Sequence, residues 1–384
     1  MFISPDKAVR AITFICNMLI LFGLFVGSVV LQLTYYILVF SRLSYSREPH
    51  YEPDGYPPVS IVICAKNDAD NLAKNLKIVM IQNYPKFEVI IVNDQSTDNT
   101  VDVVAEYFKR NDNIRLFNIK PGEKPLPGKK FALKTGVENA QYDIIVVTDA
   151  DCKPASAHWL EHLIGGYLTD VDLVLGYSPF YKAPTLLNKV IRYENVMTAM
   201  QYLSFAKAGM PYMGVGRNMT FRKNMFTGWD AFHKSKKVQS GDDDLFVNAR
   251  AKGRTTELCL HKDAFTFSEA KATWGDWIRQ KARHIGSAGH YKLHHKLLLF
   301  LFALSDFLFY TTFILLCIKS FIPLFVLLSG FFVIAAKHIV TTRINNKLQQ
   351  SDLSPLLFLL DPLYVVYLLA IFIISILRPN QEWK

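Results

Sequence analysis

Four long apolar stretches constrain this chain more than any other feature. Residues 11–41, "AITFICNMLILFGLFVGSVVLQLTYYILVFS", run for 31 positions without a charged side chain. A helix needs roughly 20 mostly apolar residues to cross a bilayer, so one long or tilted helix fits. A cleaved signal peptide would carry an apolar region of about 7–15 residues and a small-residue cleavage site, and neither is present. The other stretches are "LLLFLFALSDFLFYTTFILLCI" (297–318), "FIPLFVLLSGFFVIAA" (321–336, borrowing its flanks) and "PLLFLLDPLYVVYLLAIFIISIL" (355–377). Asp306 and Asp361 are the acids within them; at such depth an acid needs a partner or a bundle interior.

The expected organisation is an N-terminal membrane helix (1–43), a large domain (44–270), a basic aromatic interfacial segment (271–296) and three C-terminal membrane helices (297–384). Arg42, Arg47 and the basic 44–296 region then share a side with Lys337, Arg343 and Lys347 of the 337–354 connection. The lysine and arginine bias of short loops makes that side the cytosol, although Lys7 and Arg10 pull the other way. An integral membrane protein of a bacterial inner membrane is the expected setting. The net charge of +10 suits an anionic membrane face. A nucleic-acid partner is not expected, because no recognition helix, zinc spacing or base-stacking motif accompanies the charge. The five cysteines show no paired spacing, as expected of reduced thiols. "NMT" at 218–220 matches a glycosylation sequon.

Between the apolar ends, strand and helix patterns alternate. "VSIVICA" (59–65) is an apolar β-branched run suited to a strand buried on both faces, and 68–82 has helical spacing. "FEVIIV" (87–92), "IRLFNI" and "DIIVVTD" (143–149) predict further strands, "VDVVAEYFK" (101–109) and "GKKFALKTGVENA" further helices. Thr97, Asp98 or Asn99 can cap the first of these helices. Such alternation predicts an α/β fold with a mostly parallel sheet between helices, and ligands bind beyond the carboxyl ends of such strands. Asp94 and Asp98 follow the second strand, Asp149 and Asp151 the fourth. Residues two apart in an extended segment project to one side, so Asp149 and Asp151 can face one hard cation, Mg²⁺ or Mn²⁺. The plainer alternatives are turns for Asp94 and Asp98, a helix cap for Asp68 and a solvated helix start for Lys129 and Lys130. In "SGDDDLFVNARAKG", Asp242, Asp243 and Asp244 fall at a helix N-terminus, which favours negative charge, and Gly253 suits a helix end.

"PPVSIVICAKNDADNL", "EVIIVNDQSTDNT", "GKKFALKTG", "VVTDADC" and "SGDDDLF" together resemble, in order and spacing, the family 2 glycosyltransferases of GT-A fold. The resemblance spans about residues 57 to 285 and, with the flanking apolar helices, points to membrane-embedded members. It implies a GT-A (Rossmann-like) catalytic domain that uses a nucleotide sugar, commonly a UDP-sugar, and a lipid-linked or envelope glycan acceptor. Ala65 and Asp68 match nucleotide contacts, with Asp68 in place of the usual glutamate. Asp94 matches the base-binding aspartate, Lys129 the lysine of the helix-opening motif, and Asp149 and Asp151 the metal-binding pair. The family frame places the general base at Asp242; a frame of glycine followed by two aspartates places it at Asp243, leaving Asp244 as a cap or acceptor contact. "QKARH" resembles the QxxRW motif of processive synthases through Gln280 and Arg283, with His284 where tryptophan is expected. Inverting single transfer is the leading expectation. A processive polysaccharide synthase, a polyprenyl-phosphate sugar synthase and a nucleotide-sensing scaffold are the alternatives. The segment "WGDWIRQKARHIGSAGHYKLHHK" also has the character of an interfacial helix anchored by Trp274 and Trp277.

Overall fold

The structure, a computed structural model, describes residues 5–47, 55–109, 111–120, 122, 128–167, 170–226, 241–319 and 323–377. A seven-stranded sheet has the spatial order β3-β2-β1-β4-β7-β6-β8. Its strands are β1 (Val59–Ala65), β2 (Phe87–Asn93), β3 (Ile114–Asn118), β4 (Ile144–Asp149), β6 (Leu173–Leu175), β7 (Met219–Arg222) and β8 (Thr256–Leu258). A separate pair joins β5 (Lys153–Pro154) to β9 (Thr266–Phe267). β1 pairs parallel with β2 and β4, β2 with β3, and β6 with β8, while β7 runs antiparallel to β4 and β6. The sheet is therefore mostly parallel, and the apolar run of β1 is buried along its whole length.

Alternate residues of β1 enter two different cores, as the period of a strand requires. Ile61, Ile63 and Ala65 pack with Leu72, Leu76, Val104, Trp159 and Leu163. These come from the helices α2 (Ala69–Met80), α3 (Thr100–Phe108) and α5 (Trp159–Ile164), which cover one face. Val62 and Cys64 on the other face join a core with Leu133 of α4 (Lys130–Glu138) and Met200 of α6 (Leu186–Lys207). That core runs on without a break into Tyr35, Phe40, Phe302, Val340 and Leu357 of the apolar helices.

Those helices are α1 (Pro5–Thr34), α9 (Leu293–Ile318), α10 (Pro323–Lys347) and α11 (Leu357–Leu377). α1 continues through a π-helical segment, Tyr35–Phe40, to Ser44. Four helices, over Ile12–Ser44, Leu293–Ile318, Leu324–Lys347 and Ser351–Ile374, are long and apolar enough to cross a membrane. α1 packs on α9 through Phe25, stacked on Phe309 and Phe313 at 6.2 Å.

Several expectations change here. Lys337, Arg343 and Lys347 are not in a connecting loop: all three lie on α10. Arg343 stacks over Tyr45 at 4.3 Å, and the Lys347 ammonium donates to the Ser46 carbonyl, so both mark the sheet-domain end of the helix. Lys337 is buried between Asp306 and Asp361, with Nζ 2.6 Å from a carboxylate oxygen of each. Tyr193 of α6 donates to Asp361 over 3.2 Å, and Tyr310 donates to its other oxygen. One ammonium shared by two carboxylates leaves a net negative charge, which these hydroxyls help to solvate. Trp277 does not face outward as an interfacial anchor. It is buried and stacks on Tyr367 of α11 at 4.8 Å, while Trp274 stays exposed. Asn218 of the sequon is 1 % exposed, and its amide donates to Tyr177 O and Ala264 O, so it cannot serve as a glycan acceptor. α7 (Asp244–Arg250) ends before Gly253. That glycine instead lets the chain pass against the Gly209 backbone, which an added Cβ would strike. None of the five cysteines, all among the described residues, is in a disulfide.

Candidate active site

The carboxyl ends of β1, β2 and β4 lie side by side, with Ala65 paired to Asn93 and Cys64 to Asp149. The chain turns sharply after β1 and β2, at Asn67 (φ 56°) and Gln95 (φ 61°). Asparagine suits the left-handed region better than most residues. The two turns interlock: Asn67 N–H donates to Ser96 Oγ (2.9 Å), and Thr97 N–H donates to Asn67 Oδ1 (2.7 Å). Asp98 accepts from Ala69 N–H at the start of α2 (3.1 Å) and from Thr100 N–H at the start of α3 (3.0 Å). One carboxylate thus satisfies two helix N-termini, where negative charge is favoured. Asp68 is not a conventional cap; it accepts from Lys66 N–H and from the Asn71 amide. Asp94 is buried directly after β2, and its N–H donates to Ala65 O (2.8 Å).

Lys129 and Asp149 form an ion pair across the top of β4. Burial disfavours the Lys129 charge, but Asp149, Cys64 and Asp242 together hold the ammonium well above its usual pKa. Asp242, remote in sequence, thus lies near enough to the ends of β1 and β4 for its charge to act on Lys129 and Cys64. Lys130 is not a solvated helix start. It is 0 % exposed, and burial lowers its pKa against the pull of Asp242 and Asp244.

Asp149, Asp151 and Cys152 offer ligand atoms within 4.8 Å of one another. Burial and the neighbouring Asp149 charge raise the Asp151 pKa, while Arg217 opposes the rise. Burial drives the Cys152 thiol well above its ordinary value, and its Sγ–H donates to Asp151 over 3.5 Å. The usable donors are therefore carboxylate oxygens, and two carboxylates that repel one another fit a hard divalent cation such as Mg²⁺ or Mn²⁺. Arg217 is held by Ser268 Oγ (2.9 Å) and Asn195 Oδ1 (3.0 Å) and lies over the Phe180 ring at 4.6 Å.

The three aspartates have separate environments. Gly241 precedes them at φ +91°, where an added Cβ would also lie 2.6 Å from Leu245 Cδ1. Asp243 accepts from Gly216 N–H (2.6 Å) and Asp244 N–H (2.8 Å), which makes it the cap of α7. Burial, reinforced by Asp242 and Asp244, pushes its carboxyl up to about 8. Asp244 is buried and accepts from Leu245 N–H in the first turn of α7 (2.7 Å), from Tyr291 OH (2.7 Å) and from Ser287 Oγ. Asp242 is half-buried and makes no hydrogen bond or ion pair with any described residue. Ser287 belongs to α8 (Trp274–Ala288). Gln280 on the same helix is half-buried without a hydrogen bond to a described residue, and the side chains of Arg283 and His284 lie outside those described.

A sequence model of the family "Glycosyl transferase family 2" matches residues 60–228, which hold β1 to β7 and the Asp149–Asp151 pair. Those residues belong to a family 2 glycosyltransferase domain. The chain is 29 % identical over 242 residues to the probable glycosyltransferase YdaM of Bacillus subtilis, covering 59 % of this chain and 54 % of that protein. It is 32 % identical over 180 residues to the glycosyltransferase AglE of Haloferax volcanii, covering 45 % and 53 %. The chain thus spans about half the length of these curated relatives. A mannosyltransferase from Pyrobaculum calidifontis, PcManGT, solved with GDP-Man and Mn²⁺, superposes with a TM-score of 0.56 over 88 % of this chain and 98 % of its own. At 18 % identity, that likeness is one of fold, GT-A.

Sequence reading missed Lys130, Arg217, Ser287 and Tyr291. Arg217 had a local signal, since "GRN" stands directly before a strand. Nothing local marks Ser287 or Tyr291, which meet Asp244 only through the fold.

Proposed function

We propose that this protein is an inverting glycosyltransferase that moves a sugar from a nucleotide-diphosphate sugar to an acceptor hydroxyl delivered at a membrane. The observation that carries this reading is the Lys129–Asp149 ion pair at the end of β4, with the Asp242 charge acting on the same ammonium and no described residue bonded to Asp242. The domain then faces the cytosol, and the acceptor is a lipid-linked or envelope glycan.

Ala65, Asp68 and Asp94, at the interlocked turns after β1 and β2, take the nucleoside end of the donor. Asp149 and Asp151 hold a divalent cation, which when bound neutralises charge on the leaving diphosphate. Lys129, kept charged by its neighbours, and Arg217 place positive charge beside the same group. Asp242 accepts the proton of the acceptor hydroxyl as that oxygen attacks the anomeric carbon from the opposite face. Asp243 is the weaker candidate, because a carboxyl that keeps its proton to about pH 8 does not accept one at neutral pH. Gln280 and Arg283 remain assigned to the nucleotide sugar, Arg283 to its diphosphate, through their family positions.

The test uses the full chain in nanodiscs with a panel of nucleotide sugars and Mg²⁺ or Mn²⁺. Turnover of one donor, abolished by EDTA, is expected; no turnover of any donor with either ion overturns the reading. A product ladder would replace single transfer by processive synthesis. An Asp242→Asn enzyme with near-parental turnover on a polyprenyl phosphate would identify an acceptor that needs no base.

A further inference from the structure

We propose that His162, His261 and Asp263 form a second metal site, of zinc class, separate from the carboxylate pair at the end of β4. Their three ligand atoms lie within 4.8 Å of one another. His162 Nε2 is 3.9 Å and His261 Nδ1 is 3.8 Å from the same oxygen, Asp263 Oδ2. Both separations are too long for hydrogen bonds. Zinc–ligand bonds of about 2.0–2.2 Å place tetrahedral donors about 3.3–3.6 Å apart, so each nitrogen stands within a few tenths of an ångström of that separation from Asp263 Oδ2, while the two stacked imidazoles must swing apart for both to reach one ion. The donor set of two imidazoles and one carboxylate favours Zn²⁺ over Mg²⁺. Each residue is roughly one-third exposed, which leaves the fourth position to water.

The supports are already ordered. His162 sits on α5, and its carbonyl accepts from Cys259 Sγ (3.3 Å). The imidazoles of His162 and His261 stack at 3.6 Å, and His261 Nδ1 accepts from Asp263 N–H (3.4 Å), so a bound ion turns both rings out of this arrangement. Asp263 lies in a short turn, Lys262–Ala264, whose Ala264 carbonyl accepts from buried Asn218 (2.7 Å). "HWLEH" (158–162) and "HKD" (261–263) lie about a hundred residues apart in sequence and meet only in the fold. A bound ion would pin the β8–β9 connection to α5. β9 pairs with β5, directly after Cys152, so the pin braces the backbone behind Asp149 and Asp151.

The experiment strips full-length protein with EDTA and titrates Zn²⁺ against a chromophoric chelator in excess Mg²⁺, near neutral pH. One Zn²⁺ per chain is expected, with a rise in Tm. His162→Gln and Asp263→Asn should each weaken binding at least tenfold, by loss of a direct ligand, whereas Asp151→Asn should leave it unchanged. Cobalt should give the visible absorption of a tetrahedral site, lost in the same two variants. Unchanged Zn²⁺ stoichiometry and affinity in both variants would place the ion elsewhere and overturn the proposal. So would a Tm indifferent to Zn²⁺ but sensitive to histidine protonation, which would reduce the cluster to an ion pair. The readout is binding, so it stands or falls independently of transferase activity.

Discussion

Asp242, Asp243 and Asp244 show how three identical neighbours acquire separate chemistry. The two in the middle and at the end of the run accept hydrogen bonds from fixed donors, and the first is left to face Lys129. Asp242→Asn should lower kcat by about 10²–10⁴-fold, the usual contribution of a general base, with donor affinity retained; rate and donor binding measured separately check this. Asp243 predicts a pH dependence of stability. Its pKa rises from 3.8 to about 8 on folding, so the folded state holds the proton more tightly, and stability falls as pH rises across that window. Asp243→Asn should remove that slope, so its stability relative to the parent improves from pH 4–5 toward pH 8 in denaturant titrations. The run itself stood out in the sequence as a candidate site. Its division of labour was not, because Gly216, Ser287 and Tyr291 reach it through tertiary contacts.

Among the elements, the parallel strands were plain in the sequence because burial on both faces leaves continuous apolar runs. The antiparallel insertion of β7 was hidden, since pairing direction leaves no mark on a four-residue strand. α8 was legible as an amphipathic aromatic helix, but its partner was not. It is clamped by Trp277 on Tyr367, by a Lys281–Glu194 ion pair to α6, and by Ser287 on Asp244. Trp277→Ala should cost about 3–5 kcal/mol through the cavity it leaves and lower kcat as α8 loses its seat; thermal unfolding and turnover of the same sample measure both. Gly253→Ala should cost about 1–3 kcal/mol, the usual scale of overpacking, read as a lower denaturation midpoint.

For the molecule as a whole, the four apolar helices were visible from hydropathy alone, yet the partner that Asp306 and Asp361 need was not, because Lys337 was read as part of a connection and meets them only in the fold. Lys337→Met strands Asp306 and Asp361 without a counter-ion and should cost about 3–5 kcal/mol, while Lys337→Met combined with Asp306→Asn and Asp361→Asn should recover most of it; unfolding in one detergent system compares the three proteins. α6 links the apolar helices to the candidate site. Arg192 in its first half is bound to Gln350 and Asp352 in the connection after α10, and Tyr193 to Asp361. One turn on, Asn195 holds Arg217 beside Asp151. Acyl-chain length should therefore act as a control on the reaction: a bilayer too thin or too thick tilts the spans, and a rigid lever passes that tilt to the guanidinium. Turnover in vesicles of graded lipid length should peak at one thickness, and Asn195→Ala should flatten the peak.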